Sequence, residues 1–407
     1  MGPRHSVGRA IGIVMACVLA ACSAQPAVNP APAASSSASA TATGTGTAAP
    51  TPSPQPTLEC AAQVLSRMTE DQRIGQLFLL GLAGDQLGPA ETSAIRTRHF
   101  GSVWFVEQSA AGVAAIRSVA NAVQALAADT TANVRFFIAA NQEGGLIQSL
   151  SGPGFTTIPS ALDQSGIDPV SLRAQAAQWG AELASAGVNL NFAPVLDVVP
   201  PGADAQNEPI GVLKRGYGHD PATVGAHGIA FMRGMDGAGV ATTAKHFPGL
   251  GRVKGNTDFT PSVVDTATTP TDAYLAPFRD AIAAGIPFVM IALATYQQID
   301  PSALAVFSPV VMRQLLRNSL GFNGVVVSDD LGATAAVANI APADRAINFL
   351  AAGGDLIISK TIAPAVAMAD AIRARVTADA AFRSRVDDAA LRVVRVKVAR
   401  GLASCAP

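Results

Sequence analysis

From residue 60 onward the chain alternates between two hydrophobic patterns. Short runs that are apolar at nearly every position give way to Ala-rich stretches whose apolar residues recur with helical period. The runs are LFLLGL (77–82), SVWFVE (102–107), VRFFIAA (134–140), VNLNFAPVLDV (188–198), GVATTAK (239–245), PFVMIAL (287–293), GVVVSDD (324–330) and GDLIIS (354–359). Helices are expected between them, for example over 169–187 and 271–285, each closing on Gly, a common residue just past a helix end. One more is expected over 379–402, beyond the eighth run. Strands that are apolar on both faces and separated by helices belong to a parallel sheet covered on both sides. Eight such units in roughly 340 residues fit an α/β fold, the (β/α)8 or TIM barrel, as one domain over 59–407; an open doubly wound sheet is the alternative.

The first 58 residues carry neither pattern. Arg4, His5 and Arg9 precede AIGIVMACVLAAC, too short an apolar run for a permanent membrane span. A basic stretch followed by such a run reads as an export signal over residues 1–22. It ends in LAAC, similar to a bacterial lipobox, which makes Cys22 the expected lipidation site and mature N-terminus; cleavage at a plain Ala-x-Ala site with release is the alternative. The chain is thus expected outside the cell, lipid-anchored on the outer face of the membrane or secreted. Residues 23–58 are almost entirely Ala, Ser, Thr, Pro and Gly, a composition that buries too little apolar surface to offset chain entropy. That segment reads as a flexible tether. Cys17 leaves with the signal, so Cys60 and Cys405 remain, one at each end of the folded region. In an oxidising compartment they can pair as a disulfide; two free thiols are the alternative.

Charge narrows the partners. The 407 residues hold 28 Lys and Arg against 29 Asp and Glu, a net charge of −1, which gives no reason to expect nucleic acid or an anionic surface as a partner. The mature chain keeps His99, His219, His227 and His246 with no His-x-His, so no metal is expected. Neither Gly-x-Gly-x-x-Gly after a strand nor a P-loop occurs, and no cofactor is expected.

In a barrel of this kind chemistry sits at the C-terminal ends of the strands. Those ends carry NQEGG (141–145) after the third run, Asp197 in the fourth, Lys245 and His246 after the fifth, and SDD (328–330) after the seventh. A carboxylate pair closing so apolar a strand is costly without a partner or a task. Asp329 or Asp330 can cap a helix start, or one can attack a sugar's anomeric carbon while a second acid protonates the leaving oxygen. The residues alone leave both readings open.

Taken in order, GQLF (75–78), NQEGG, NLNFAPVLDV, RGYGHDP (215–221), KHFPGLG (245–251) and VVVSDDL (325–331) resemble the β-N-acetylhexosaminidases of glycoside hydrolase family 3, of the NagZ type. The resemblance spans about 64–360 and implies a retaining, two-step hydrolysis of terminal β-linked N-acetylglucosamine, with peptidoglycan fragments as the expected carbohydrate given the envelope placement. It implies Asp329 as nucleophile, Lys245, His246 and Arg215 as sugar-binding residues, and Asp197 as a structural carboxylate orienting that Arg or Lys.

Two departures stand out. Where the family has Asp-Ser-His, this chain has Asn256, Thr257 and Asp258, which makes Asp258 the expected acid/base; a carboxyl group can do that work if burial or a neighbouring carboxylate raises its pKa. Where the family has Asp-Gln-Glu-Gly-Gly-Arg-x-x-Arg, this chain begins with Asn141 and has Leu146 and Ser149 in place of the two arginines. Asn141 keeps the expected sugar-binding position but gives up a charge-assisted bond. Those losses supply the alternative function, a degenerate barrel that binds saccharide in the cell envelope without turnover.

Overall fold

The computed structural model describes residues 54–405. The export signal, Cys22 and residues 23–53 of the expected tether lie outside them. All eight apolar runs are strands: β1 (Phe78–Leu82), β2 (Ser102–Phe105), β3 (Phe137–Ala140), β4 (Leu190–Asn191), β5 (Ala241–Phe247), β6 (Phe288–Ile291), β7 (Val325–Asp330) and β8 (Leu356–Ser359). They pair in parallel in sequence order and close, β8 against β1, into one barrel. Helices cover its outside, as the apolar-throughout strands require.

Alternate strand residues serve two separate cores. Leu79, Phe137, Ala139, Leu190, Ala241, Phe288, Val325, Val327 and Leu356 pack inside the barrel. Their neighbours, such as Leu80, Ile138, Val289, Val326 and Ile357, pack outward against the helices. This is the two-residue period of a strand, expressed in a sheet buried on both faces.

The expected helices form, within a few residues. Pro169–Ser185 starts at Asp168, whose carboxylate accepts the N–H groups of Val170 and Ser171. The 271–285 stretch becomes a short turn, Ala273–Leu275, and then Ala276–Ala283. Two boundaries differ from expectation. The tether read as ending at 58 is already helical from Pro54, in the helix Pro54–Ser66. Proline is tolerated in a first helical turn, where its missing N–H would have no partner anyway. The fourth run was expected to be the longest strand, yet only Leu190–Asn191 is regular. Pro194 has no N–H to give a ladder, and past it a single bridge, Val195 to Lys245, continues the pairing.

The helix Ala380–Ala399 closes the N-terminal end of the barrel. Its Val393 and Val396, with Leu402, join the inner core. Fully buried Lys397 donates to Gln76 Oε1 and to the Gly101 carbonyl, both at 2.7 Å, and lies 5.3 Å from the Phe137 ring centre. At the same end Asp355, also fully buried, takes ion pairs from Arg317, Arg385 (3.0 Å) and Arg392 (3.3 Å). Cys60 and Cys405 are joined by a disulfide, which staples the first described helix to the segment that follows the last one. No helix among the described residues is long and apolar enough to cross a membrane.

Candidate active site

The opposite end of the barrel is open. A cavity of about 330 Å³ sits there, within the size range of small-ligand pockets. Inward alternation carries straight into it: Trp104 from β2, Asn141 after β3, Lys245 in β5, Met290 in β6, Asp329 in β7 and Ile358 in β8 all line its wall. Asn141, Lys245 and Asp329 thus take the same parity as Ala139, Thr243 and Val327 below them. The strand period aims the chemistry inward.

Below the cavity lies an ionic hub that the sequence reading passed over. Glu143, the third residue of NQEGG, is 4% exposed. Its two oxygens accept from Arg215 Nε and Nη2, each at 2.8 Å, and Oε1 also meets Lys245 Nζ at 2.6 Å. Lys245 Nζ donates in addition to Asn141 Oδ1 at 2.9 Å. Burial pushes the Glu143 carboxyl up, but the Arg215 and Lys245 charges outweigh it and hold the group at about 2. Burial lowers Lys245's hold on its proton, with Glu143 opposing and Arg215 reinforcing. One carboxylate therefore serves two cations, and a net positive charge remains facing the cavity.

Asp197 does something other than expected. Fully buried, it orients neither Arg215 nor Lys245 but His246: Oδ2 meets His246 Nδ1 at 2.7 Å, and its oxygens accept the backbone N–H of His246 and, at 2.7 Å, of Leu250. An ionised carboxylate only accepts, so the proton of that bond sits on Nδ1, and Nε2 is the ring nitrogen turned toward Arg215. That nitrogen lies 3.4 Å from Arg215 Nη2. The role assigned to Asp197 belongs to Glu143. The reason is reach: the hairpin Gln142–Gly144 with Ile147–Gln148 folds Glu143 under the cavity, and Asn191 pins it by accepting the Gln142 N–H and donating to its carbonyl, both at 3.0 Å.

Glycine makes these approaches possible. A Cβ on Gly144, whose φ is +109°, would stand 2.1 Å from the Pro159 carbonyl oxygen. One on Gly251, the last residue of KHFPGLG, would stand 1.8 Å from that of Val198. Neither position admits a side chain without moving backbone. The Lys245–His246 peptide is cis.

The two aspartates of SDD divide the tasks between them. Asp330 also borders the cavity but commits its carboxylate to the loop, accepting the N–H groups of Gly332 (2.8 Å), Ala333 (3.0 Å) and Lys360 (2.8 Å). Asp329 accepts the Asp330 N–H at 2.8 Å and lines the cavity. Across from it, Asp258 stands on the loop after β5. Its N–H donates to Asn256 Oδ1 (3.0 Å) and its carbonyl accepts from Ala335 (3.1 Å), so the loop after β7 holds it in place. Asp258 is exposed at the mouth, but desolvation on its cavity side, then the Asp329 charge, pushes its carboxyl up, against the pull of Arg215 and His246. Asn256, where the resemblance has a carboxylate, adds no charge here; its side chain builds the turn.

The structure thus brings Asn141, Arg215, Lys245, His246, Asp258 and Asp329 around one cavity. Ser149 is buried in the same hairpin loop, its N–H donating to the Asn141 carbonyl at 2.9 Å. Lys360, just past β8, also lines the cavity and was overlooked because the eighth strand end carries no motif.

The sequence pattern described as "Glycosyl hydrolase family 3 N terminal domain" matches residues 69–396. A β-hexosaminidase of Stenotrophomonas maltophilia (strain R551-3) is 32% identical over 295 residues, covering 69% of this chain and 82% of that protein. Among solved structures, a β-N-acetylhexosaminidase from Beutenbergia cavernae DSM 12333 is similar at 46% identity and a TM-score of 0.79, over 81% of this chain and 98% of that one. A family 3 β-N-acetylglucosaminidase from Paenibacillus sp. str. FPU-7 is similar at 31% identity and a TM-score of 0.72, over 82% of this chain and 63% of that one.

Proposed function

The chain belongs to glycosyl hydrolase family 3, and from that premise we propose that it is a retaining β-N-acetylhexosaminidase with Asp329 as nucleophile and Asp258 as acid/base. The observation that carries the reading is the cavity at the open end of the barrel, whose wall brings Asp329 and Asp258 together with Lys245 and Arg215.

The substrate's terminal N-acetylglucosamine sits in the cavity with its hydroxyls toward Lys245, His246, Arg215 and Asn141. Asp329 attacks the anomeric carbon as the bond to the leaving oxygen breaks, and Asp258 gives that oxygen its proton. The ester formed on Asp329 is then hydrolysed: Asp258, now ionised, takes a proton from water, whose oxygen bonds the anomeric carbon and frees Asp329. The raised Asp258 suits the first step, because an acid must still hold its proton at working pH. Glu143 holds Arg215 and Lys245 in position from beneath, leaving their cavity side free of its carboxylate.

Peptidoglycan-derived amino-sugar glycosides are the proposed substrates and the outer face of the membrane, through a lipid on Cys22, the proposed site of action. The Cys60–Cys405 disulfide supports an oxidising compartment. Turnover of a chromogenic N-acetyl-β-glucosaminide by the full chain, lost by at least about 10⁴-fold in Asp329→Asn, tests the mechanism. Equal, negligible rates in both proteins would overturn it.

A further inference from the structure

Beside the proposed acid stands a side chain the mechanism does not use. Phe259 is 81% exposed and lines the cavity. A lone exposed apolar residue would need no explanation. This one is not alone: Ile147 from the hairpin after β3, and Pro209 and Leu213 from the loop after β4, line the same cavity, next to exposed Leu146 (62%) and Val212 (51%). Three loops of separate origin put apolar surface around one mouth.

The ring is displayed on a braced loop. Its own N–H donates to the Asn256 carbonyl at 3.0 Å, as does that of Thr260 at 2.8 Å, while Glu208 accepts the Asn256 N–H at 3.0 Å and Ala336 donates to the Thr257 carbonyl at 3.2 Å. Position then names the occupant. An acid reaches the glycosidic oxygen from hydrogen-bond distance, and that oxygen joins the bound sugar to its leaving group. The next residue's Cα lies about 3.8 Å along, and the 81% exposure of Phe259 puts its ring at the outer rim of the cavity, the side toward which a leaving group would extend.

We propose that Phe259 is the platform for the leaving group, taking the apolar C–H face of a β-linked pyranose ring, so that substrates with a sugar leaving group are preferred over those with a small alkyl one. The assignment rests on Asp258 being the acid.

Binding and turnover separate the two ideas. The full chain carrying Asp329→Asn, with and without Phe259→Ala or Phe259→Trp, is titrated calorimetrically with a β-1,4-linked N-acetylglucosamine disaccharide and with methyl N-acetyl-β-glucosaminide. Phe259→Ala should weaken the disaccharide about tenfold, several times more than the methyl glycoside, and Phe259→Trp should retain it. Equal weakening of both ligands would make Phe259 a mere support for the Asp258 loop and overturn the platform, as would no weakening of either. Turnover of both glycosides is measured with Asp329 intact. If neither is cleaved, the hydrolytic mechanism fails while the binding ratio still decides Phe259; if the disaccharide does not bind at all, both fall.

Discussion

The two ends of the barrel solve the same problem in opposite ways. Each buries a carboxylate among cations: Asp355 among three arginines at the closed end, Glu143 between Arg215 and Lys245 at the open one. At the closed end the helix Ala380–Ala399 fills the space, and Arg317 and Arg385 spend further N–H groups on backbone carbonyls such as Gly324 and Gly354. At the open end the equivalent space is a cavity, and Asp329, Asp258 and the Lys245 ammonium face it. An ion cluster backed by packing is structural; one left facing a void has a charge to offer a ligand.

The comparison can be broken most forcefully at Asp258. Asp258→Asn should lower kcat on a disaccharide by about 10²–10⁴-fold. Because the active form is the protonated acid and its pKa is raised, the wild-type rate should fall as pH climbs through that value, and this limb should vanish in the variant. A pH–rate profile of the variant that keeps the limb would remove Asp258 from the mechanism.

Next come the two buried carboxylates themselves. Glu143→Gln and Asp355→Asn each leave buried cations uncompensated and should each cost about 3–5 kcal/mol in denaturant unfolding. They should part company in kinetics. Per folded molecule, Asp355→Asn should turn over like wild type, whereas Glu143→Gln should lose most of kcat/KM by releasing Lys245 and Arg215. Parallel kinetic losses in both would erase the distinction between the ends.

Acid titration sharpens the same point. Glu143 is held at about 2 in the folded chain against an ordinary 4.5, so its stabilisation is fully present above the ordinary value and is lost as pH falls through the folded one. The stability gap between wild type and Glu143→Gln should therefore narrow between those two pH values. A gap that stays constant there would mean the carboxylate is not ionised in the fold.

The smallest effect belongs to the closed end. Reducing the Cys60–Cys405 bond should cost about 2–4 kcal/mol in unfolding while leaving kcat within about twofold, since the staple lies far from the cavity along the strands.

Much of the fold was legible in the sequence because burial on both faces writes itself as uninterrupted apolar runs; all eight became barrel strands. The fourth was misjudged in length because apolar content does not reveal where Pro194 ends a ladder. The same parity that seats Val325 and Val327 inside delivers Asp329 to the cavity, so reading strand ends found it, along with Lys245. Glu143 escaped although its motif was read. Its importance lies in Arg215 and Lys245, distant in the chain, and only the closed barrel makes them neighbours. Asp197 was noticed but given the wrong partner, since a sequence shows that a carboxylate is buried but not which donor it faces. Phe259 carried no signal beyond following Asp258.

The bridge between Cys60 and Cys405 has one more consequence. It encloses nearly every described residue in a single covalent ring. A protease that cuts one surface loop would make two ends but not two molecules, and a pull applied between the termini would run through the sulfur atoms and bypass the barrel. Under both insults the ends would stay tethered until the disulfide itself were reduced.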